Sequence, residues 1–462
     1  MRQKFLIQNG SESLVVFFAG WGTGPKLVEG LVMPCDFMCV WDYSSHDFDF
    51  QSITGYKNVY VVAWSFGVVA ATYVMQQERL PIVLTLAICG TQYPVDNERG
   101  IPEAIFDATR NSLSISSLNK FYRRLCVDRE HFAQLQSRLD EPNIESLENQ
   151  LGMVAGMPIE PMAWDKVIVA RHDRIFPLEN CLNGWAGLCG QLIIADDEAH
   201  YPTDLGSIFA ANIIDKSLVK SRFAKSFENQ YNSEAKAQKD IARKLISLWL
   251  GHCQPQERAE VLEVGCGSGM FTREYLEIFS PKRLVLNDLC QEPQIMLNMV
   301  ETSYEFLQGD AEQLDFKPAS FNYVVSTSAM QWFENLPRFL GNAARWLRPE
   351  GMLIASTFGS ANCRELSDLT GISLHYKDET WLKRTLSDDF ETVETESELI
   401  RLEFDSPLEV FRHIRKTGVN GLGSNRMSSQ RLKKVMDSYP RNERGKCVLT
   451  YNPIYIIAKK KQ

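Results

Sequence analysis

The stretch Asn58-Val-Tyr-Val-Val-Ala-Trp-Ser-Phe-Gly67 decides the fold of the first half of the chain. Its first five residues form a short run rich in valine, which predicts a buried strand. Ser65 follows with Ala63 and Gly67 on either side, as in the G-x-S-x-G turn that places a nucleophile between a strand and a helix. Ala63 replaces the first glycine, but that position mainly requires a small side chain. Ser65 is therefore a candidate nucleophile, provided that the chain supplies its partners.

A nucleophilic serine needs a histidine base and an acid that orients the base. His200 follows the predicted strand 191–195, near the end of the first half. A histidine base belongs there when the order along the chain is serine, acid, histidine. Asp173 follows the preceding strand and opens a D-x-x-x-P turn. Asp96 follows an earlier strand and stays an alternative acid. The usual order of serine, acid and histidine favours Asp173.

An oxyanion site needs backbone N–H groups near the serine. The predicted strand 14–18 runs into the turn Gly20-Trp-Gly22. The N–H of Trp21 in this turn and the N–H of Phe66 in the elbow are the expected donors.

The chain contains two separate alternations of strands and helices, which predict two α/β domains, residues 1–212 and 213–462. Segment 101–151 is polar and helix-prone, and it predicts a small helical cap inserted in the first domain. The predicted strands lie at 14–18, 37–41, 58–62, 82–88, 166–170 and 191–195, then at 260–264, 283–287, 304–307, 321–326 and 351–357, with a later pair near 391–403 and 447–458.

The second half carries a strand followed by a glycine loop, Val261-Leu-Glu-Val-Gly-Cys-Gly-Ser-Gly-Met270. Its third glycine comes one position too early for the dinucleotide pattern G-x-G-x-x-G. The next strand ends at Asp288, whose carboxylate can accept hydrogen bonds from both hydroxyls of a ribose. Asp310 follows a further strand, in Gln308-Gly-Asp-Ala311.

These motifs, in this order, resemble the class I methyltransferases that use S-adenosylmethionine, with a Rossmann-like fold. The resemblance implies that the glycine loop lies beside the methionine part of S-adenosylmethionine, that Asp288 binds the ribose, and that Asp310 with Ala311 reads the adenine. The implied binding residues are Gly265, Cys266, Gly267, Gly269, Asp288, Asp310 and Ala311.

Further motifs indicate a more specific family, which nearly all of residues 217–460 resemble. Ser328-Ala-Met-Gln-Trp332 and Leu449-Thr-Tyr-Asn-Pro-Ile-Tyr455, with the helical pattern around Tyr231, are similar to the BioC-type malonyl-[acyl-carrier protein] O-methyltransferases of biotin synthesis. A carboxylate acceptor is already ionised at neutral pH, so methyl transfer needs alignment and no general base. Neutral donors suit such a nucleophile better than an arginine clamp. Tyr231, Gln331 and Trp332 are the candidates.

The first domain, with Gly20-Trp-Gly22, Ser65, Asp173 and His200 together, resembles the BioG-type pimeloyl-[acyl-carrier protein] methyl esterases, an α/β-hydrolase family. The two resemblances imply one chain that methylates a malonyl group on an acyl carrier protein and later hydrolyses a pimeloyl methyl ester. The esterase must then discriminate by chain length, and the cap 101–151 is the expected place for that selection. Two alternatives stay open: a thioesterase and methyltransferase of another acyl-carrier pathway, and a hydrolase-like domain that only binds.

Bulk composition limits the remaining classes. The net charge of −9 over 462 residues argues against a general nucleic-acid binder. No apolar run is long enough for a membrane span. The 11 cysteines include no C-x-x-C pair, which favours free thiols in a reducing cytoplasm and argues against a metal site.

Overall fold

The computed structural model describes residues 1–228, 235–292, 302–370, 373–417 and 429–461. The chain divides into two compact units, Met1–Phe209 and Ala210–Gln462. The division between the units falls within the helix Leu205–Asn212, and the predicted boundary, after residue 212, coincides with the end of that helix.

The first unit is built around a seven-stranded sheet. Its strands are β1 (Arg2–Ile7), β2 (Ser13–Phe18), β3 (Asp36–Trp41), β4 (Asn58–Trp64), β5 (Ile82–Ile88), β6 (Trp164–Ala170) and β7 (Cys189–Ala195). The spatial order is β1-β3-β2-β4-β5-β6-β7, and only β1 is antiparallel to its neighbour. The two central strands β2 and β4 are buried along their whole length because both faces of the sheet are covered. This is the α/β-hydrolase arrangement.

Four consecutive helices lie between β5 and β6, where the sequence predicts a helical cap. Each of the last three begins at a side chain that caps its first turn: Ser114, Asp128 and Asn143. The helices of the first unit are α1 (Gly67–Gln77), the cap helices α2 (Glu103–Asn111), α3 (Ile115–Arg124), α4 (Arg129–Ser137) and α5 (Ile144–Ala155), then α6 (Leu178–Trp185) and α7 (Leu205–Asn212).

The second unit has a seven-stranded sheet and a two-stranded one. The strands are β8 (Glu260–Val264), β9 (Arg283–Asp288), β10 (Glu305–Gln308), β11 (Phe321–Thr327), β12 (Leu347–Phe358), β13 (Phe390–Ser397), β14 (Ile400–Phe404), β15 (Cys447–Tyr451) and β16 (Pro453–Lys460). The order of the large sheet is β10-β9-β8-β11-β12-β16-β13, with β16 antiparallel to both of its neighbours. This order is that of the class I methyltransferases.

Two apolar layers cover the large sheet. One layer contains Trp249 and Tyr275, and the other contains Phe339 and Trp346. The helices of this unit are α8 (Lys216–Glu228), α9 (Lys236–His252), α10 (Met270–Leu276), α11 (Leu336–Trp346), α12 (Arg364–Thr370), α13 (Glu379–Leu386), α14 (Pro407–Lys416) and α15 (Ser429–Asp437).

The predicted fold class is confirmed for both halves, while the edge strand β1 is absent from the sequence prediction. Its sequence, Arg-Gln-Lys-Phe-Leu-Ile, puts polar side chains at the solvated edge of the sheet. A short strand of that kind has neither a continuous apolar run nor a clean alternation, so its pattern does not separate it from a loop.

Candidate active sites

The first candidate site lies where strands of the first sheet end. In a parallel sheet the carboxyl ends of all strands meet at one edge, and the segments after β2, β4, β6 and β7 converge there. Ser65 follows β4 directly, with a φ of 59°. This left-handed conformation is strained for a residue with a side chain and is typical of a nucleophile elbow. A Cβ on Gly67 would lie 2.2 Å from the Phe18 carbonyl oxygen, so the helix that follows can approach β2 only with glycine there.

Three side chains form a continuous hydrogen-bonded row at this edge. His200 Nε2 lies 2.9 Å from Ser65 Oγ, and His200 Nδ1 lies 2.8 Å from Asp173 Oδ2. The histidine and aspartate side chains are both 1% exposed, so water cannot compete for these bonds.

Further contacts fix the row in place. The second carboxylate oxygen of Asp173 accepts hydrogen bonds from the backbone N–H groups of Ile175 and Phe176, at 2.7 and 3.0 Å. The Phe176 ring stacks on the His200 ring with an interplanar angle of 5°. Trp64 Nε1 donates to the His200 carbonyl oxygen at 2.8 Å, which anchors the loop after β7 to the elbow strand.

Asp96, the alternative acid, bonds to its own loop instead. Its carboxylate accepts from the backbone N–H groups of Glu98 and Arg99 and pairs with the Arg99 guanidinium at 2.9 Å. These bonds lower the pKa of Asp96, against the opposing effect of its partial burial. The structure thus brings Asp173, and not Asp96, to His200.

The two residues predicted to supply the oxyanion donors also lie at this edge. The residues that line a cavity beside Ser65 include Trp21 and Phe66. Among the described residues, neither backbone N–H has a hydrogen-bond acceptor. The cap holds the Trp21 turn: Trp21 Nε1 donates to the Leu147 carbonyl oxygen at 2.9 Å, and Tyr122 Oη donates to the Gly22 carbonyl oxygen at 2.7 Å.

The cavity at Ser65 has a volume of about 420 Å³ and is walled mainly by the cap. Its walls are mostly apolar, and Phe106 packs edge-on against Phe66 at 6.3 Å. The apolar wall residues are Ile101, Ile105, Phe106, Phe121, Leu151 and Ile175.

The second candidate site is a cavity of about 920 Å³ in the second unit. It lies at the carboxyl ends of β8, β9 and β10, where open α/β sheets bind ligands. Gly265, with a φ of 70°, turns the chain away from β8 at this point. Of the residues predicted to bind S-adenosylmethionine, six line the cavity: Gly265, Cys266, Gly267, Asp288, Asp310 and Ala311. Gly269 lies outside its lining and is the N-cap of α10, with a φ of 76°.

Asp288 is held by the glycine loop itself. Its two carboxylate oxygens accept from the backbone N–H groups of Gly267 and Cys290, at 2.9 and 2.8 Å. Burial raises the pKa of Asp288 although both N–H bonds act to lower it. Each oxygen retains a lone pair for a further donor, as the two hydroxyls of a ribose would require.

Lys216, at the start of α8, lines the same cavity and pairs with two carboxylates, those of Asp310 in the cavity lining and of Glu312. Its Nζ lies 3.1 Å from Asp310 Oδ1 and 2.8 Å from Glu312 Oε2. Burial lowers the pKa of Lys216, but the charges of Glu312 and Asp310 outweigh that effect and hold it above its ordinary value. Sequence reasoning gives no signal for this residue, because 94 positions separate it from Asp310 and no motif contains it.

The residues predicted to bind the carboxylate of the methyl acceptor do not all line the same cavity. Trp332 lines the large cavity and an adjoining smaller one, whereas Gln331 lines only the smaller one. Trp332 packs edge-on against Phe223 at 5.9 Å. Tyr231 lies outside the described residues.

These two folds and sites define the class of protein: an α/β-hydrolase fused to a class I methyltransferase. The family model for the pimeloyl-ACP methyl esterase BioG matches residues 1–204, and the model of a methyltransferase domain matches residues 262–355. A malonyl-[acyl-carrier protein] O-methyltransferase of Bacteroides fragilis is 37% identical over 97% of this chain and 93% of its own length. The chain belongs to the malonyl-[acyl-carrier protein] O-methyltransferase family and carries a BioG-type esterase domain at its N-terminus.

Other similar proteins match one half. The malonyl-[acyl-carrier protein] O-methyltransferase of Chlorobium luteolum is 36% identical over 54% of this chain and 98% of its own length. The crystal structure of BioG from Haemophilus influenzae is 32% identical and covers 44% of this chain and 95% of that chain, with a TM-score of 0.41. In the part of the chain that the structure describes, no helix has the length and apolar character needed to cross a membrane.

Proposed function

We propose that this chain catalyses two opposed reactions on acyl carrier proteins. The C-terminal domain methylates the free carboxylate of a malonyl group, and the N-terminal domain hydrolyses a pimeloyl methyl ester to the acid and methanol. The hydrogen-bonded row of Ser65, His200 and Asp173 carries the second proposal, and the membership of the family carries the first.

In the proposed hydrolysis Ser65 Oγ attacks the carbonyl carbon of the methyl ester while His200 Nε2 takes its proton. Asp173 stabilises the imidazolium that results. The N–H groups of Trp21 and Phe66 stabilise the oxyanion. His200 then protonates the departing methoxide, so that methanol leaves. Water, activated by the same histidine, cleaves the acyl-enzyme and restores Ser65.

A class I methyltransferase domain implies S-adenosylmethionine, which supplies an electrophilic methyl group on a sulfonium. The residues that line the large cavity fit this molecule: a glycine loop for close approach of the backbone, and Asp288 with a lone pair left on each oxygen. In the proposal Asp288 binds the ribose, Asp310 and Ala311 bind the adenine, and Gly265, Cys266 and Gly267 lie beside the methionine part.

The acceptor carboxylate attacks as the ion it already is at neutral pH, so no residue has to remove a proton. The protein has to align the reacting atoms and exclude water. Trp332, which lines both cavities, and Gln331, which lines the smaller one, lie near the place proposed for this carboxylate.

The cavity between the cap and Ser65 suits an esterase that distinguishes acyl chains by their length. Burial of methylene groups in an apolar slot beside Ser65 stabilises the bound ester, and a pimeloyl chain has several more methylene groups than a malonyl group. We propose that this slot keeps the esterase from hydrolysing the malonyl methyl ester that the other domain makes.

The test is the mass of the carrier protein after incubation with the full-length chain. With S-adenosylmethionine, malonyl carrier should gain one methylene in mass, and an Asp288→Asn variant should lose this activity. Pimeloyl methyl ester carrier should lose one methylene, and Ser65→Ala should abolish this loss. Release of the whole acyl group would instead identify a thioesterase, and inactivity of both Ser65 and Ser65→Ala chains would identify a domain that only binds.

A further inference from the structure

The smaller cavity beside the methyltransferase site, about 350 Å³ in volume, is lined by uncharged residues as far as the described part of the chain is concerned. It shares Phe223, Gln238, Ser328 and Trp332 with the large cavity, so the two adjoin. A ligand group that enters it meets the neutral side chains of these described residues.

Tyr376 lines this cavity, and its neighbours fix the direction of its hydroxyl hydrogen. The Asn362 side-chain oxygen accepts from the backbone N–H of Asn452 at 3.2 Å, so the amide nitrogen of Asn362 is the atom that faces Tyr376. That nitrogen donates to Tyr376 Oη at 2.8 Å. A phenol that accepts from this side has its own hydrogen left for another acceptor. Burial raises the pKa of Tyr376 well above its ordinary value, so the hydrogen is retained at any working pH.

Two more donors line the same cavity without an acceptor. Trp332 Nε1 and Ser328 Oγ are buried, and neither has a hydrogen-bond partner among the described residues. A buried donor without an acceptor costs about 1–3 kcal/mol, and most native structures avoid it. Three donors that share one cavity are therefore arranged for an acceptor that the ligand supplies.

Gln331 has a different role from these three. Its Nε2 donates to the Ser328 carbonyl oxygen at 2.6 Å, which leaves the acceptor Oε1 unpaired. An acceptor atom repels a carboxylate, so Gln331 is a positioning residue that holds the turn carrying Ser328 and Trp332.

We propose that this cavity binds the carboxylate of the methyl acceptor through three neutral donors, Tyr376 Oη, Trp332 Nε1 and Ser328 Oγ. The proposal rests on the proposed methylation of a carrier-bound diacid and adds the group that recognises it. Neutral donors orient the carboxylate and compensate part of its lost hydration, but leave its oxygen more nucleophilic than a bidentate arginine would. Tyr376, which no sequence motif contains, is a catalytic residue in this site.

The experiment compares the full-length chain with Tyr376→Phe and Trp332→Phe. Phenylalanine removes the donor in each case and keeps an aromatic ring in the wall. Tyr439→Phe is the matched control, because Tyr439 Oη donates to the Val448 carbonyl oxygen in the same domain, away from both cavities. The steady-state rate with malonyl carrier and the dissociation constant of S-adenosylmethionine are measured for each chain.

Carrier binding gives a second readout that needs no turnover. The dissociation constants of malonyl carrier and acetyl carrier are measured in the presence of S-adenosylhomocysteine. The two carriers differ in the free carboxylate, so the ratio of their dissociation constants measures how strongly the protein recognises that carboxylate.

We expect Tyr376→Phe and Trp332→Phe each to lower kcat/KM for malonyl carrier by about 10- to 100-fold, as expected for a lost hydrogen bond to a charged group. The affinity for S-adenosylmethionine should stay at the wild-type value in Tyr376→Phe, since Tyr376 lies outside the lining of the large cavity, and the preference for malonyl over acetyl carrier should fall in both variants. Wild-type activity and an unchanged malonyl preference in Tyr376→Phe would overturn the proposal. A wild-type chain that binds malonyl carrier selectively but transfers no methyl group would overturn the proposed function and leave the carboxylate site standing.

Discussion

His200 Nε2 lies 2.9 Å from Ser65 Oγ, although 135 residues separate the two in the sequence. The parallel sheet brings the two residues together, because the segments that follow β4 and β7 begin at the same edge of the sheet. Ser65 is 6% exposed and His200 is 1% exposed, so water is kept from the contact, as the proposed proton transfer requires.

The acid of this row can be tested with a matched pair of substitutions. Asp173→Asn should lower kcat for the pimeloyl methyl ester by about 10⁴-fold, since an amide cannot hold the imidazole in the required tautomer. Asp96→Asn should leave kcat unchanged, because Asp96 bonds only within its own loop. Steady-state hydrolysis of the ester measures both. Equal losses in the two variants would contradict the assignment of Asp173.

The cap cavity should control which ester is cleaved. Phe106→Trp reduces the space beside Ser65 and should lower kcat/KM for the pimeloyl ester by about 10-fold or more, with a smaller effect on a short methyl ester. Ile115→Trp is the control, since Ile115 is 52% exposed on the same cap and does not line the cavity. Rates with both carrier-bound esters are compared. A Phe106→Trp chain that loses activity equally on both would argue against a length-selecting slot.

The Lys216 contacts should strengthen binding of S-adenosylmethionine. Lys216→Met removes the cation that holds Asp310, and we expect the dissociation constant to rise about 10-fold, as for the loss of a half-buried ion pair. Lys225→Met on the same helix is the control, because Lys225 is exposed and lies outside the cavity lining. Calorimetric titration measures both variants. An unchanged affinity in Lys216→Met would show that Asp310 keeps its position without the lysine.

Glu263 should make the stability of the second unit depend on pH. It is fully buried, and burial raises its pKa to about 7, against hydrogen bonds from Thr272 and Tyr275 that lower it. Between its unfolded pKa of 4.5 and about 7 the folded state binds more protons than the unfolded state, so the free energy of unfolding decreases as the pH rises through this window.

The neutral variant Glu263→Gln lacks this decrease. Relative to wild type, its free energy of unfolding should rise by up to about 3 kcal/mol between pH 5 and pH 8. Unfolding of the full-length chain in urea at several pH values measures the difference, with Glu277→Gln, an exposed position, as the control. A constant difference between Glu263→Gln and wild type across that range would refute the account of Glu263.

Local signals in the sequence were sufficient for most of the architecture. The apolar run before Ser65 and the glycine loop after Val264 predict strand, turn and helix in the observed order. Both motifs are contiguous, so their residue types report the backbone geometry directly.

The remaining site residues depend on contacts between distant segments. Lys216 meets Asp310 only when α8 packs over the cavity, and Tyr376 faces Trp332 from a loop with no motif of its own. The order of serine, acid and histidine favours Asp173 over Asp96, but both acids follow strands, and only the three-dimensional distance to His200 separates them. Sequence spacing carries no information on these distances.

We propose that one chain both makes and cleaves methyl esters of carrier-bound acids. The most direct measurement is the mass spectrum of a mixture of malonyl carrier and pimeloyl methyl ester carrier, after incubation with the wild-type chain and S-adenosylmethionine. The account predicts that the malonyl carrier gains one methylene in mass while the pimeloyl methyl ester carrier loses one. A malonyl carrier of unchanged mass, or a pimeloyl ester that persists, would contradict it.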